Sequence, residues 1–486
     1  MLETVNVVWS EYGQVWSFMA QMAVLLLALL IANTLRIRVK FLRRMLFPSA
    51  LIAGLLIFAL KTVLSLCSVE SGSLFDNATM QIITYHTLGL GFAAVTLKRS
   101  TQKKDKKQVV KLLDYALINS GTYMLQAVLG LLVTLVCFGG IYYAGMLLPL
   151  GFAQGPGNAM IWGGNYSENG LVGGASFGLA IATVGFLMAS VVGVVYMNIM
   201  RKKGKLNVRE TGKKEIDDPA MNGTAPESVS VDKLSINIAL IALVYVLCYA
   251  LMWGLSALGI KLITNLVWGL NFLWAMLFAT LVKAVLSKME QKNPEIPTYR
   301  SNYLLDRISS FLFDLMIVAG VASIEWESIA NYWLPLIVLS VVGTVATVLY
   351  IYFASKSTCP GYENETFLVQ FGTLTGTVSN GMILLREIDP DFSTPAANNV
   401  VMANMFNLPM LAPMFLLLSA IPGGIFGVEG KGGTWICLGI FAVLLAVYSV
   451  LLFRRQIFKK RYPKETQEVW TEEKGYVQRK DLHENI

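Results

Sequence analysis

Long apolar runs separated by short polar connectors dominate the chain. A helix that crosses the roughly 30 Å hydrocarbon core of a bilayer needs about 20 mainly apolar residues. Windows of that kind occur at 17–35, 46–66, 80–97, 112–144, 172–200, 235–258, 264–286, 304–324, 332–355, 396–420 and 433–453, which predicts eleven membrane helices. Two further stretches, 146–170 and 364–392, are apolar but interrupted by glycine and small polar residues. Irregular backbone at membrane depth has to be buried in protein or line a watery cavity. Both stretches are therefore read as re-entrant hairpins.

The positive charges follow the same pattern. The connectors 36–44, 98–111, 201–234, 287–303 and 454–486 hold 32 of the 39 Lys and Arg residues, whereas the alternate connectors hold only Lys261 and Lys431. This positive-inside asymmetry places the amino terminus outside and the carboxyl terminus in the cytoplasm, as eleven crossings require. The net charge of +8 thus belongs to membrane topology and not to nucleic-acid binding. With 55% hydrophobic and 14% charged residues among 486, a disordered chain and an ordinary cytosolic enzyme are excluded.

Sidedness gives the hairpins a direction: 146–170 enters from outside and 364–392 from the cytoplasm. Each follows the fourth helix of its half. The fold class predicted is an all-α polytopic membrane protein of about 11 transmembrane helices, with two inverted five-helix repeats, each with a re-entrant hairpin loop, plus one extra C-terminal helix. The expected boundaries are an N-terminal repeat 1–200, a cytoplasmic linker 201–234, an inverted repeat 235–420, the extra helix 421–453 and a basic tail 454–486. Matched hairpins in inverted halves are a secondary-transporter signature.

The hairpins should carry the chemistry. In the first, Gly155 and Gly157 bracket Pro156 between Gln154 and Asn158, a sequence suited to a sharp bend with exposed amides. The second offers Thr375, Thr377, Ser379 and Asn380 for a solute, with Gly372 and Thr373 beside them. Helix amino termini attract carboxylates, while carbonyls and hydroxyls can replace the hydration shell of sodium. Gly372, Thr373, Asp314, Asn404 and Asn407 are the candidate sodium ligands. Asp314 stands in mid-run, where a charge is costly, and reads as a cation ligand, a proton carrier or a structural acid. Asn404 and Asn407 share one helix face, a placement that also suits helix packing.

Other polar residues have plainer roles. Lys61 is placed to reach the outer interface, and His86, Asn119 and Gln126 to bond between helices. Arg386 is assigned to the cytoplasmic surface, or alternatively to pairing with an anion. The five cysteines show no CxxC spacing and read as small buried hydrophobes. In the tail, Tyr462, Trp470 and Tyr476 among basic residues suggest an interfacial segment. No GxSxG, HExxH or P-loop motif is present, so the chain is read as a non-enzyme powered by an ion gradient.

Over residues 15–420 the chain resembles the sodium/glutamate symporter family of bacterial secondary carriers. Gln154-Gly-Pro-Gly is similar to the family's His-Gly-Thr-Gly, and Ala182-Thr-Val-Gly185 to its Ala-Thr-Phe-Gly. Gly372, Asn380 and Pro390 match its Gly-Ala-Thr-Pro-Thr-Ala segment, and Phe47-Pro48 with Ala53-Gly54 its Pro-Glu-Pro-Val-Ala-Gly entry. The resemblance implies sodium-coupled uptake of an acidic amino acid, with Na+ as coupling ion, by a homodimer in the bacterial plasma membrane. It also implies an elevator-like movement of one domain. Gln154 stands where the family has His, Pro156 where it has Thr, and Thr375 where it has a central Pro. The expectation is therefore sodium symport of glutamate or a related organic anion across the lipid bilayer. A proton-coupled carrier of the same fold, a channel and a transport-inactive sensor are the alternatives.

Overall fold

The computed structural model describes residues 13–67, 75–99, 106–206, 231–292, 300–459, 468–471 and 475–479. Most of the linker, including Asp217, and Tyr462 in the tail lie outside the described residues. The chain is helical almost throughout. In order the principal helices are α1 Gly13–Arg38, α2 Ser49–Leu66, α3 Asn77–Leu97, α4 Lys106–Cys137, α5 Leu147–Phe152, α6 Pro156–Ser167, α7 Gly174–Lys202 and α8 Val231–Ser256. They continue with α9 Lys261–Gly269, α10 Asn271–Lys292, α11 Asn302–Ala322, α12 Trp333–Thr358, α13 Glu363–Thr375, α14 Val378–Arg386, α15 Ala396–Leu417 and α16 Gly430–Leu452. Two short antiparallel strands, β1 Glu468–Thr471 and β2 Gly475–Gln478, close the described chain.

Among the described residues ten helices are long and apolar enough to cross a membrane. They correspond to ten of the eleven predicted runs. The remaining run forms α11, which is fully helical, but Asp306, Arg307 and Asp314 give it three charges within any membrane-length window. α15 begins at Ala396, where the predicted 396–420 run begins, and Pro409 and Pro413 lie inside the helix.

Neither interrupted stretch runs as one membrane-length helix. The first is α5, a break and α6, and the second is α13, a break and α14. At 1.5 Å per residue the 12 residues of α6 and 13 of α13 reach only about 18–20 Å, well short of the hydrocarbon core.

Packing divides the chain into two compact units, each drawing on both halves of the sequence. The first holds α1–α3 and α8–α11, and the second holds α4–α7, α12–α16 and the tail strands. In the first unit α3 packs against α11, α10 and α8 around Ala93, Ala94, Val244, Ala275, Ala279 and Leu305. A Cβ on Gly54 would lie 2.6 Å from that of Val321, so α2 meets α11 with no side chain between them. His86 bonds through Nδ1 to the Tyr245 hydroxyl at 2.8 Å, an interhelical bond of the kind expected. The Lys61 ammonium donates to Asn77 Oδ1 and, at 2.7 Å, to the Ala322 carbonyl, the first residue of α3 and the last of α11.

In the second unit the 32-residue α4 is the central post, touching α12, α15 and α16. Cys248, Cys359 and Cys437 are buried as expected, whereas Cys67 and Cys137, at helix ends, are exposed.

Candidate functional site

The two helix breaks are written into local chemistry. Gly155 adopts φ +84° and ψ −176°, a conformation essentially restricted to glycine. Pro156 follows at the first position of α6, where its missing N–H costs nothing and its ring presets the helix. In the second stretch α13 ends at Thr375, and Thr377 is extended at φ −140°, ψ 167° before α14 begins. Gly372 and Gly381 let α13 and α14 touch: a Cβ on Gly372 would lie 2.7 Å from the Gly381 Cα.

The breaks come together although more than 200 residues separate them. A Cβ built on Gly155 would lie 3.9 Å from both the Gly376 carbonyl oxygen and the Thr377 methyl group. One face of α4 holds both. The Tyr123 hydroxyl donates to the Ala153 carbonyl at 2.7 Å. Three residues on, Gln126 Nε2 donates to the Leu374 carbonyl at 3.1 Å and to the Thr347 hydroxyl of α12 at 2.9 Å. Over the other side runs α7, where a Cβ on Gly185 would meet the Thr375 carbonyl at 2.5 Å and the Phe152 ring at 3.0 Å.

At this junction α6 and α14 begin with no side-chain cap, so their first N–H groups carry the positive ends of two helix dipoles. Asn158 is fully buried and donates to Gln154 Oε1 at 3.0 Å, which leaves its own Oδ1 without a partner. Asn380 is buried with an unpartnered Nδ2, and Gln126 with an unpartnered Oε1. Native interiors leave few polar atoms in that condition. Three of them beside two uncapped helix starts make a site that can offer donors to an anion and neutral oxygens to a cation.

The predicted residues divide unevenly. Gln154, Gly155, Gly157 and Asn158 sit at the first break, and Gly372, Thr373, Thr375, Thr377 and Asn380 at the second. The Thr373 and Thr375 hydroxyls donate to the Val369 and Phe371 carbonyls at 2.6 and 2.7 Å, so only their lone pairs are left for a ligand. Ser379 is exposed. Asn407 is buried on α15, and the Asn404 side chain lies outside the described residues. Asp314 belongs to the first unit, on α11, and its side chain is exposed. Arg386 is occupied by the Phe392 ring at 5.4 Å. Tyr123 and Thr347 were not singled out by sequence, whereas Gly185 was quoted there for the family resemblance alone. Only the spacing of Tyr123 and Gln126 on one helix face signals the first of them.

Residues 16–364, most of the chain, match the family model of the sodium/glutamate symporter. The chain belongs to that family. No curated protein matches it. The match runs from α1 through α12 and ends at the start of α13, so it includes the first break and stops before the second. As a member of the sodium/glutamate symporter family with many apolar helices, the chain is a multi-pass membrane transporter.

Proposed function

We propose that this symporter-family chain takes up glutamate, or a closely related organic anion, together with sodium. The observation that supports this most directly is the meeting of two uncapped helix starts at Gly155 and Thr377, lined by buried amides with unpartnered atoms. Carboxylates of the solute take the first N–H groups of α6 and α14 and the Asn380 Nδ2 donor. Gln154, Gly157 and Asn158 shape the other side.

Sodium is assigned to neutral oxygens: the Gly372 carbonyl, the Thr373 and Thr375 lone pairs, and the amides of Asn404 and Asn407. Among the described residues no group of three or more His, Cys, Asp or Glu side chains gathers, which agrees with a weakly held ion that must be released every cycle. Asp314, in the other unit, is assigned no ligand role in this scheme and serves as the proton-coupling control. Coupling follows if sodium orders the second break in the form that receives the carboxylate, since a ligand shifts an equilibrium only by its differential affinity. Both breaks belong to one compact unit. In an elevator cycle that unit carries the solute while the other stays fixed, in a homodimer of the bacterial plasma membrane with its carboxyl terminus in the cytoplasm.

Proteoliposomes decide the matter. An inward sodium gradient should drive glutamate accumulation that collapses when sodium is equal on both sides. Uptake driven by a pH gradient alone, and lost in Asp314→Asn, would replace sodium coupling with proton coupling.

A further inference from the structure

The chain beyond the family match carries a structure that the transport cycle described above does not use. After α16, Arg454 and Arg455 both grip Asp114 of α4, at 2.7 and 3.1 Å, and Asp114 is only 1% exposed. The strands β1 and β2 then return to the same end of the second unit. The Trp470 amide donates to the Pro360 carbonyl at 3.1 Å, and its indole packs edge-on against Tyr362. Gly361, at φ +96°, is the residue over which β1 passes, and any Cβ there would strike the Trp470 backbone. Tyr476 shares a 2.9 Å hydroxyl–hydroxyl bond with Tyr362 and lies 4.8 Å beneath the Lys111 ammonium of α4. The tail thus ties two places together: the first turns of α4 and the 359–362 connector that leads into α13.

A two-stranded hairpin of four residues per strand has almost no stability alone. It persists here because this surface supplies its core, through Trp470, which is 9% exposed. Docking of such an element is a local equilibrium of modest free energy. The element that it holds is the base of α13, the helix that ends at the second break.

We infer that the tail hairpin is a reversible latch: seated on the 359–362 connector, it holds α13 against α4, and its release loosens the second helix break and uncouples solute movement from sodium. The transport half of this inference rests on the proposed symport.

Cys359 reports the seating. It lies in the connector, 1% exposed, and burial raises its thiol pKa, so it should resist alkylation while the tail is docked. The experiment compares the full-length protein with full-length Trp470→Ala and Tyr476→Phe, reading N-ethylmaleimide labelling of each cysteine by peptide mass spectrometry. Exposed Cys67 and Cys137 serve as the reference, and continued protection of buried Cys248 and Cys437 shows that the variant is folded. Cys359 labelling should rise roughly tenfold or more in Trp470→Ala, and less in Tyr476→Phe. A synthetic peptide of residues 462–482 should restore protection. In parallel, sodium-free efflux of preloaded glutamate from proteoliposomes should rise severalfold in Trp470→Ala. Equal Cys359 labelling in all three proteins overturns the latch, and so does a freed Cys359 with unchanged efflux. If the unaltered protein takes up no glutamate under any sodium gradient, the transport proposal fails, while the labelling comparison still decides whether the tail is seated.

Discussion

Gly155→Ala isolates the backbone of the first break. A Cβ at this position meets nothing closer than 3.9 Å, so the substitution introduces no clash. Its cost is conformational. At φ +84°, ψ −176° an L-residue pays on the order of 1–3 kcal/mol, unless the tip moves. Since about 1.4 kcal/mol is tenfold in a population, the native tip should fall by a factor of roughly 5–150 relative to relaxed alternatives. The matched control is Gly164→Ala in the same helix, where a Cβ also meets nothing within 4 Å but the backbone is helical. It should be neutral or gain about 0.5–1 kcal/mol from reduced freedom in the unfolded chain. Thermal unfolding in detergent and initial sodium-driven uptake are measured on both. Gly155→Ala should lose most uptake with little loss of overall fold, and Gly164→Ala should retain it. Equal uptake in the two variants would refute the claim that this strained turn presents the amides of α6.

The post that holds the breaks can be tested in the same assays. Gln126→Leu leaves the Leu374 carbonyl and the Thr347 hydroxyl without their donor, which should cost about 1–3 kcal/mol and raise the KM for sodium; an unchanged sodium dependence would separate α4 from the second break. Gly372→Ala forces a Cβ to 2.7 Å from the Gly381 Cα and should destabilise by about 1–3 kcal/mol, seen as a lowered melting temperature. Asp389, in the 387–395 connector, loses solvation on burial, yet bonds from the Thr394 and Ser393 side chains and amides outweigh that and hold its carboxyl below the usual range. A depressed acid stabilises the fold above its unfolded value of about 3.9 and loses that contribution as pH falls through the folded value. Melting temperature should therefore drop on acidification below about pH 4, and the drop should flatten in Asp389→Ala. Glutamate should raise the melting temperature more in sodium than in choline at equal ionic strength.

How far sequence alone reaches is clearest at the breaks and in the tail. Gly155-Pro156 interrupts its helix where its local preferences say it must, because backbone conformation is decided within a few residues. The apolar runs are equally local, and ten of the eleven keep their predicted character. The tail shows the opposite case. Trp470 and Tyr476 read as interfacial aromatics, but they pack on Tyr362, more than 100 residues earlier, and no local pattern announces that partner. The same holds for Tyr123 and Gln126, whose roles come from the carbonyls left free by two distant helix ends. Membrane partition and turn chemistry belong to individual segments and can be summed along a chain. Which segments share a unit, and which orphaned polar atoms face one another, depends on the packing of side chains from both halves, and only the tertiary structure supplies it.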